Sequence, residues 1–215
     1  RDGRVTGVQT CALPICYVRS IGGLAAMTST SHTRATARTA EAMERIEVET
    51  GERADVVVMV QGDEPLISTE AIAETLDHFN DPAIEIVNIM SRLSTYEQFI
   101  DKNNVKVVVN RHNDALYFSR EPIPSPWRGF ENIPMYMQTG IIAFRHDALL
   151  RFNQMDETQL EQIESVDMNR VLETGGRIRM VLTQATTIGV DTPQELKDAE
   201  ELMNDDPTLA RYLTQ

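Results

Sequence analysis

Two acidic side chains, Asp63 and Asp191, each come first after an apolar run that reads as a buried strand, residues 55–60 and 187–190. In an open α/β sheet, ligands bind beyond the carboxyl ends of the strands, so carboxylates far apart in sequence can meet at one edge. Two hard oxygen ligands, with nucleotide phosphates and water completing the shell, suit magnesium. Gly62 lets the backbone approach a ligand closely, and Pro65 stiffens the exit from the loop. Asp191 has an equal alternative, which is to cap the helix that Pro193 opens. Both readings stand at this point.

Composition narrows the other chemistry. The chain has 215 residues, 41% hydrophobic, with 33 acidic against 20 basic side chains and a formal charge of −13. No clustered Lys or Arg run exists to neutralise a phosphate backbone, which argues against nucleic acid, so an anionic ligand must be held by a few placed cations. His32, His78, His112 and His146 stand apart without ligand spacing, giving zinc no support. No apolar run approaches the roughly 18 residues of a membrane span.

The elements that must position these residues alternate in type. Residues 36–49 predict an amphipathic helix with Ala40, Met43, Ile46 and, less regularly, Val48 inward, closed by Gly51. Residues 55–60 predict a strand buried on both faces. Ser68 or Thr69 caps a helix reaching about His78, with Ile72, Leu76 and Phe79 near one face. Strand-like runs follow at 84–90, 105–110, 115–119 and 136–144, with a short helix at 96–100. The polar turn Arg111-His112-Asn113-Asp114 makes 105–119 a hairpin, and three prolines within 122–126 impose an irregular loop. Helices are expected at 146–152 and 160–174, short strands at 178–182 and 187–190, and a last helix at 192–203. The pattern predicts an α/β fold, a mostly parallel sheet flanked by helices and carrying a β-hairpin. In that pattern Lys106, between Val105 and Val107, reads as a strand-surface lysine.

Several of these segments, in order, resemble the CMP-Kdo synthetase family, the cytidylyltransferases that activate 3-deoxy-D-manno-octulosonate (Kdo). The resemblance rests on Met27-Thr28-Ser29 with His32, Thr36, Arg38 and Ala40-Glu41-Ala42, and on residues 57–67 around Gln61-Gly62-Asp63-Glu64-Pro65. It continues in Val105-Lys106-Val107-Val108, in Ala115 to Arg120 with Ile123-Pro124, in Glu164 with Asp167, Arg170, Val171 and Leu172, and in Gly189-Val190-Asp191-Thr192-Pro193. It implies the Rossmann-like nucleotide-diphospho-sugar transferase fold, transfer of CMP from CTP to the sugar's anomeric hydroxyl, a magnesium requirement, a homodimer and a cytoplasmic enzyme of lipopolysaccharide or capsule biosynthesis. Carried onto this chain, Asp63 and Asp191 hold Mg2+ and Arg120 meets the sugar carboxylate. Gln61, Gln138, Asp167 and, more weakly, Tyr117 face sugar hydroxyls, while Arg38 serves the nucleotide. For Arg120 the plain alternative is a surface ion pair, for Arg38 an exposed helix arginine, and for the sugar-facing residues ordinary structural hydrogen bonds.

The resemblance also marks departures. Gln138-Thr139-Gly140-Ile141 stands where many members have His-Leu-Gly-Ile, and Ala37 stands where an acidic residue often precedes the arginine. Residues 5–15 resemble the in-frame translation of a sequencing-adapter oligonucleotide, so 1–15 is expected to be foreign and 16–215 an incomplete cytidylyltransferase domain. Cys11 and Cys16 then fall within or beside the foreign stretch, leaving no disulfide framework. The family's N-terminal phosphate loop has no counterpart, and the polypeptide as written is expected to bind CTP poorly. The rival functions are a sialic acid-type cytidylyltransferase, against which the Gln61 to Pro65 loop speaks, and a non-catalytic nucleotide- or sugar-binding module.

Overall fold

The computed structural model describes residues 6–7, 12–184, 189–190 and 192–204. In chain order its elements are β1 (Thr6–Gly7), α1 (Ala12–Ser20), β2 (Leu24–Ala25), α2 (Ala35–Thr50), β3 (Val56–Val60) and α3 (Thr69–Asp77). Next come β4 (Ile86–Arg92), α4 (Tyr96–Ile100), β5 (Lys106–Val109), β6 (Ala115–Ser119), β7 (Tyr136–Arg145) and α5 (His146–Gln154). The chain closes with α6 (Gln159–Glu164), α7 (Asn169–Glu173), β8 (Arg179–Leu182) and α8 (Pro193–Asn204). Its contacts divide it into two compact units, residues 1–59 with 144–156, and residues 60–143 with 157–215.

In the first unit α2 packs on α5. Thr36, Ala40, Ala42 and Met43 are its buried positions, and Leu149 and Phe152 supply apolar surface from α5. Gly51 ends α2 in the left-handed conformation, its N–H closing on the Glu47 carbonyl, as a residue without Cβ does at low cost. Val48 is 87% exposed, so the inward stripe stops short of it. β3 is also less covered than a continuous β-branched run predicts, since only Met59 is buried. β1 pairs with β2 in parallel, and α1 tolerates Pro14 because a first-turn residue has no intrahelical N–H bond to lose.

The second unit is built on a mixed sheet with strand path β6-β5-β7-β4-β8. β4 and β8 are parallel, whereas β5 runs antiparallel to both β6 and β7, with Lys106 opposite Ser119 on one side and Met137 on the other. The hairpin turns where Asn110 Oδ1 accepts the N–H groups of His112 and Asp114. Val87, Ile89, Val107 and Phe118 are wholly buried at its centre; each such side chain is worth roughly 1.5–3 kcal/mol. Ser68 caps α3 by accepting the Ala71 N–H. The buried positions of α3 are Ala71 and Thr75, and Leu76 is 42% exposed, contrary to the face predicted from apolar spacing.

The helix predicted over 160–174 is two helices. Ser165 adopts a left-handed conformation, φ 53°, that ends α6 one residue after Glu164, and the chain turns through Asp167 before α7 begins. Buried Glu161 takes a bidentate ion pair from buried Arg170, at 2.6 and 2.7 Å, holding the two pieces together. Among the described residues no helix is long and apolar enough to cross a membrane.

Candidate active site

Gln61, leaving Val60, donates its N–H to the Gly140 carbonyl in β7 at 3.2 Å, and Glu64 N–H returns to the Gln61 carbonyl. The Glu64 carboxylate accepts the Gly140 N–H at 2.7 Å. Gly140 is thus bonded to this loop through both its backbone groups. A Cβ at 140 would stand 3.1 Å from Gln61 Cβ, Gln61 Nε2 and Glu64 Cγ, so a larger residue fits only if those side chains give way, and glycine allows the close approach. Burial pushes the Glu64 carboxyl above its ordinary range; the Gly140 N–H works against that and the Asp63 charge adds to it.

Asp63 is half-buried in the same loop, and its carbonyl accepts the N–H of Val190 at 2.9 Å. The segment leading into Asp191 therefore reaches the loop that carries Asp63. Asp191 itself lies outside the described residues, as do Thr187 and Ile188 of the strand predicted there, while Gly189 and Val190 form no strand. The start of α8 is capped by a different residue: Thr192 Oγ1 accepts the Glu195 N–H at 3.2 Å and Glu195 accepts the Thr192 N–H at 2.7 Å. This reciprocal pair takes the capping role that competed for Asp191.

A second cluster surrounds Glu164. Its Oε1 accepts the hydroxyls of Tyr117 and Ser119, each at 2.8 Å, and its Oε2 the Arg120 N–H at 2.9 Å. Burial would raise this carboxyl, but the three hydrogen bonds outweigh it and hold it below the ordinary range. Burial, reinforced by Glu164, pushes the Tyr117 phenol up to about 12, so it stays a donor.

Arg120 does not sit in a surface ion pair. Nε donates to the Glu164 carbonyl and one terminal nitrogen to the Lys102 carbonyl, both at 2.9 Å, with a longer 3.5 Å bond to Ser165. That spends three of the five guanidinium N–H groups. Lys106, expected at the surface, is fully buried: its ammonium donates to the carbonyls of Asp101, Asn104 and Arg120 at 2.6–2.7 Å, satisfying all three of its protons. Alternation along a strand marks a side chain's face but not whether a loop covers that face, which is why spacing misplaced it.

The remaining sugar-side candidates divide. Gln138 donates its N–H to the Val105 carbonyl, while its Oε1 is buried without a hydrogen-bond partner among the described residues. Asp167 is half-buried in the turn between α6 and α7, its carbonyl taking the Arg170 N–H. Glu64 and Lys106 are the residues that spacing missed. A glycine inside the apolar run 136–144 was the available signal for the first, and nothing in the sequence marked the second.

In the first unit Arg38 is half-buried and anchored, contrary to an exposed helix arginine. It donates to Thr28 Oγ1 at 2.6 Å and to the carbonyls of Ser29 and His32 at 3.2 Å. An acidic residue at position 37 is not needed to orient it. Glu41 ties down the same loop by accepting the Ser29 N–H and contacting His32, and these bonds hold its carboxyl at about 2.

A family model described as cytidylyltransferase matches residues 17–179. A 3-deoxy-manno-octulosonate cytidylyltransferase of Geobacter metallireducens is 39% identical over 198 residues, covering 87% of this chain and 76% of that protein. One of the same name from Thermodesulfovibrio yellowstonii is 37% identical, covering 87% and 76%. Among solved structures, a CMP:2-keto-3-deoxy-manno-octonic acid synthetase complexed with CTP superposes with a TM-score of 0.82 at 35% identity, over 94% of this chain and 81% of that one. A Bacillus anthracis protein named as a glucose-1-phosphate thymidylyltransferase, at 14% identity and a TM-score of 0.61, shares the fold. With most of its length matched by the family model and by relatives well above 30% identity, this chain belongs to the cytidylyltransferase family.

Proposed function

We propose that the chain transfers CMP from CTP to the anomeric hydroxyl of Kdo, giving CMP-Kdo and pyrophosphate for lipopolysaccharide or capsule assembly. The anomeric oxygen bonds to the α-phosphorus, the bond from that phosphorus to the pyrophosphate oxygen breaks, and the hydroxyl proton is released. Asp63 and Asp191 are the residues that would hold Mg2+, which neutralises charge on the phosphates when bound. The observation that carries this reading is the 2.9 Å bond from Val190 N–H to the Asp63 carbonyl, by which the segment leading into Asp191 reaches the loop that carries Asp63. The Thr192–Glu195 cap supports it, because it removes the structural reason for an acidic residue at 191. Two carboxylates completed by phosphates and water are also a donor set that magnesium favours.

Arg120 offers its remaining N–H groups to the sugar carboxylate from a plane fixed by main-chain carbonyls. The unpartnered Gln138 Oε1 is an acceptor for a sugar hydroxyl, with Gln61, Asp167 and Tyr117 as further contacts. Arg38 serves the nucleotide, and the enzyme works as a cytoplasmic homodimer. Pyrophosphate release from CTP, Kdo and Mg2+ tests the reading, run on the chain as it stands and on the chain fused behind the upstream segment of the Geobacter metallireducens relative. Asp63→Ala is expected to cut turnover of the active form by at least about a hundredfold. Wild-type turnover in that variant removes Asp63 from the reaction, and turnover with a sialic acid but not Kdo reassigns the substrate.

A further inference from the structure

Glu64 is the immediate neighbour of Asp63, yet its side chain is turned into the protein. One oxygen accepts the Gly140 N–H at 2.7 Å, and its Cγ lies within 3.1 Å of where a Cβ on Gly140 would be. Gly140 belongs to a ten-residue strand of the central sheet, which makes it a rigid point of attachment. The loop between Gln61 and Glu64 is therefore pinned at both ends to one residue of β7: Gln61 N–H on the Gly140 carbonyl, and the Glu64 carboxylate on the Gly140 N–H. Asp63 sits inside that span, and its own carbonyl is occupied by Val190.

We infer that Glu64 is a positioning residue for Asp63, acting as a hydrogen-bond acceptor toward Gly140 and not as a charge. The role needs an sp² oxygen at the end of a side chain of this length and no negative charge, which separates it from metal ligation or proton transfer. It also assigns Gly140 a function, because a Cβ there would press at 3.1 Å on the Gln61 and Glu64 side chains and displace them from the positions that hold the loop. Asparagine or aspartate at 64 is one methylene too short to reach the same N–H. The inference rests on the reading of Asp63 as a metal ligand, since the loop it fixes is the one that carries that carboxylate.

The test titrates the full chain with Mn2+, read by electron paramagnetic resonance of the free ion, in wild type and in Asp63→Ala, Glu64→Ala, Glu64→Gln and Gly140→Ala. Thermal melts accompany each titration, and hydrogen exchange at the Gly140 amide is followed by NMR. Expected is loss of binding in Asp63→Ala and a drop of about tenfold or more in Glu64→Ala and Gly140→Ala. In Glu64→Gln affinity stays within about threefold of wild type and the Gly140 amide remains slowly exchanging, because the amide oxygen still accepts it. If Glu64→Gln is as weak as Glu64→Ala, the charge matters and the positioning role is overturned; wild-type affinity in Glu64→Ala overturns it equally. Both results leave the metal reading intact. Wild-type binding that stays immeasurable even when CTP is added to supply phosphate ligands, or binding unchanged in Asp63→Ala, overturns the metal reading and the inference with it. A melt lowered to a similar degree in the Ala and Gln variants, with affinities still separated, supports the inference, since a general loss of fold would not discriminate them.

Discussion

The hairpin side of the second unit and the middle of its sheet treat polar groups in opposite ways. Around β5 and β6 they are paired: Lys106 spends three protons on three carbonyls, and Glu164 collects two hydroxyls and an N–H. Around β4 and β7 the donors are paired, Asn88 Nδ2 with the carbonyls of Ile89, Thr139 and Ile141 and Thr139 Oγ1 with that of Ile89, but several acceptors are left open. Asn88 Oδ1, Ser91 Oγ and Gln138 Oε1 are buried without partners among the described residues, and Glu64 accepts from Gly140 alone among them where Glu164 accepts three donors. The two glutamates respond accordingly, Glu64 shifting up and Glu164 down, although burial pushes both upward. Deeper burial against a single donor raises Glu64, while shallower burial and three donors lower Glu164, so depth and donor supply act in the same direction. A paired region is already rigid, whereas open acceptors cost free energy until a ligand supplies donors.

That contrast can be broken in graded steps. Lys106→Met leaves three carbonyls without their donor, and the chain is expected to lose on the order of 3 kcal/mol or more in urea unfolding. A loss below about 1 kcal/mol would show that the loop simply relaxes. Tyr117→Phe removes one of three donors from Glu164 and is expected to cost about 1 kcal/mol in the same measurement. Glu164 also sets a sign with pH. Its folded pKa lies below the ordinary 4.5, so its contribution is complete above 4.5 and is lost as pH falls through the folded value. Melting temperature should accordingly fall less steeply on acidification below pH 4.5 in Glu164→Gln than in wild type. The smallest effect is expected in the open region. Gln138→Leu removes a buried acceptor that has no partner among the described residues, so stability should hold or rise by about 0.5 kcal/mol and should not fall. Sugar affinity, read by calorimetry, should drop.

Most of the scaffold was legible. Residues 96–100 and 115–119 form elements with the bounds expected of them, and the Thr95–Gln98 capping box and the Asn110 turn show why local chemistry sufficed. Legibility failed where polar contacts that apolar spacing does not encode decide. Apolar spacing does not show that Ser165 interrupts a helical pattern, because the left-handed turn is held by the Glu161–Arg170 pair and by Val166 N–H returning to the Glu161 carbonyl. Lys106 was misread for the same reason, since its acceptors lie on Asp101, Asn104 and Arg120, and only the first two are near it in sequence. At the site, Asp63 and Arg120 were legible as residue types. The Glu64 bond to Gly140 was not, being made across 76 positions.

The interruption at Ser165 reaches further than a change in helix length. In an unbroken helix the oxygens of Glu164 and Ser165 would point along the axis toward amides one turn ahead. Because the chain swings away, both are presented sideways, and the guanidinium of Arg120 rests against them. A severed helix end thereby becomes a seat for a cation, with the negative pole of its peptide dipoles turned toward the charge. A mutation that straightened this joint would unseat Arg120 without touching it.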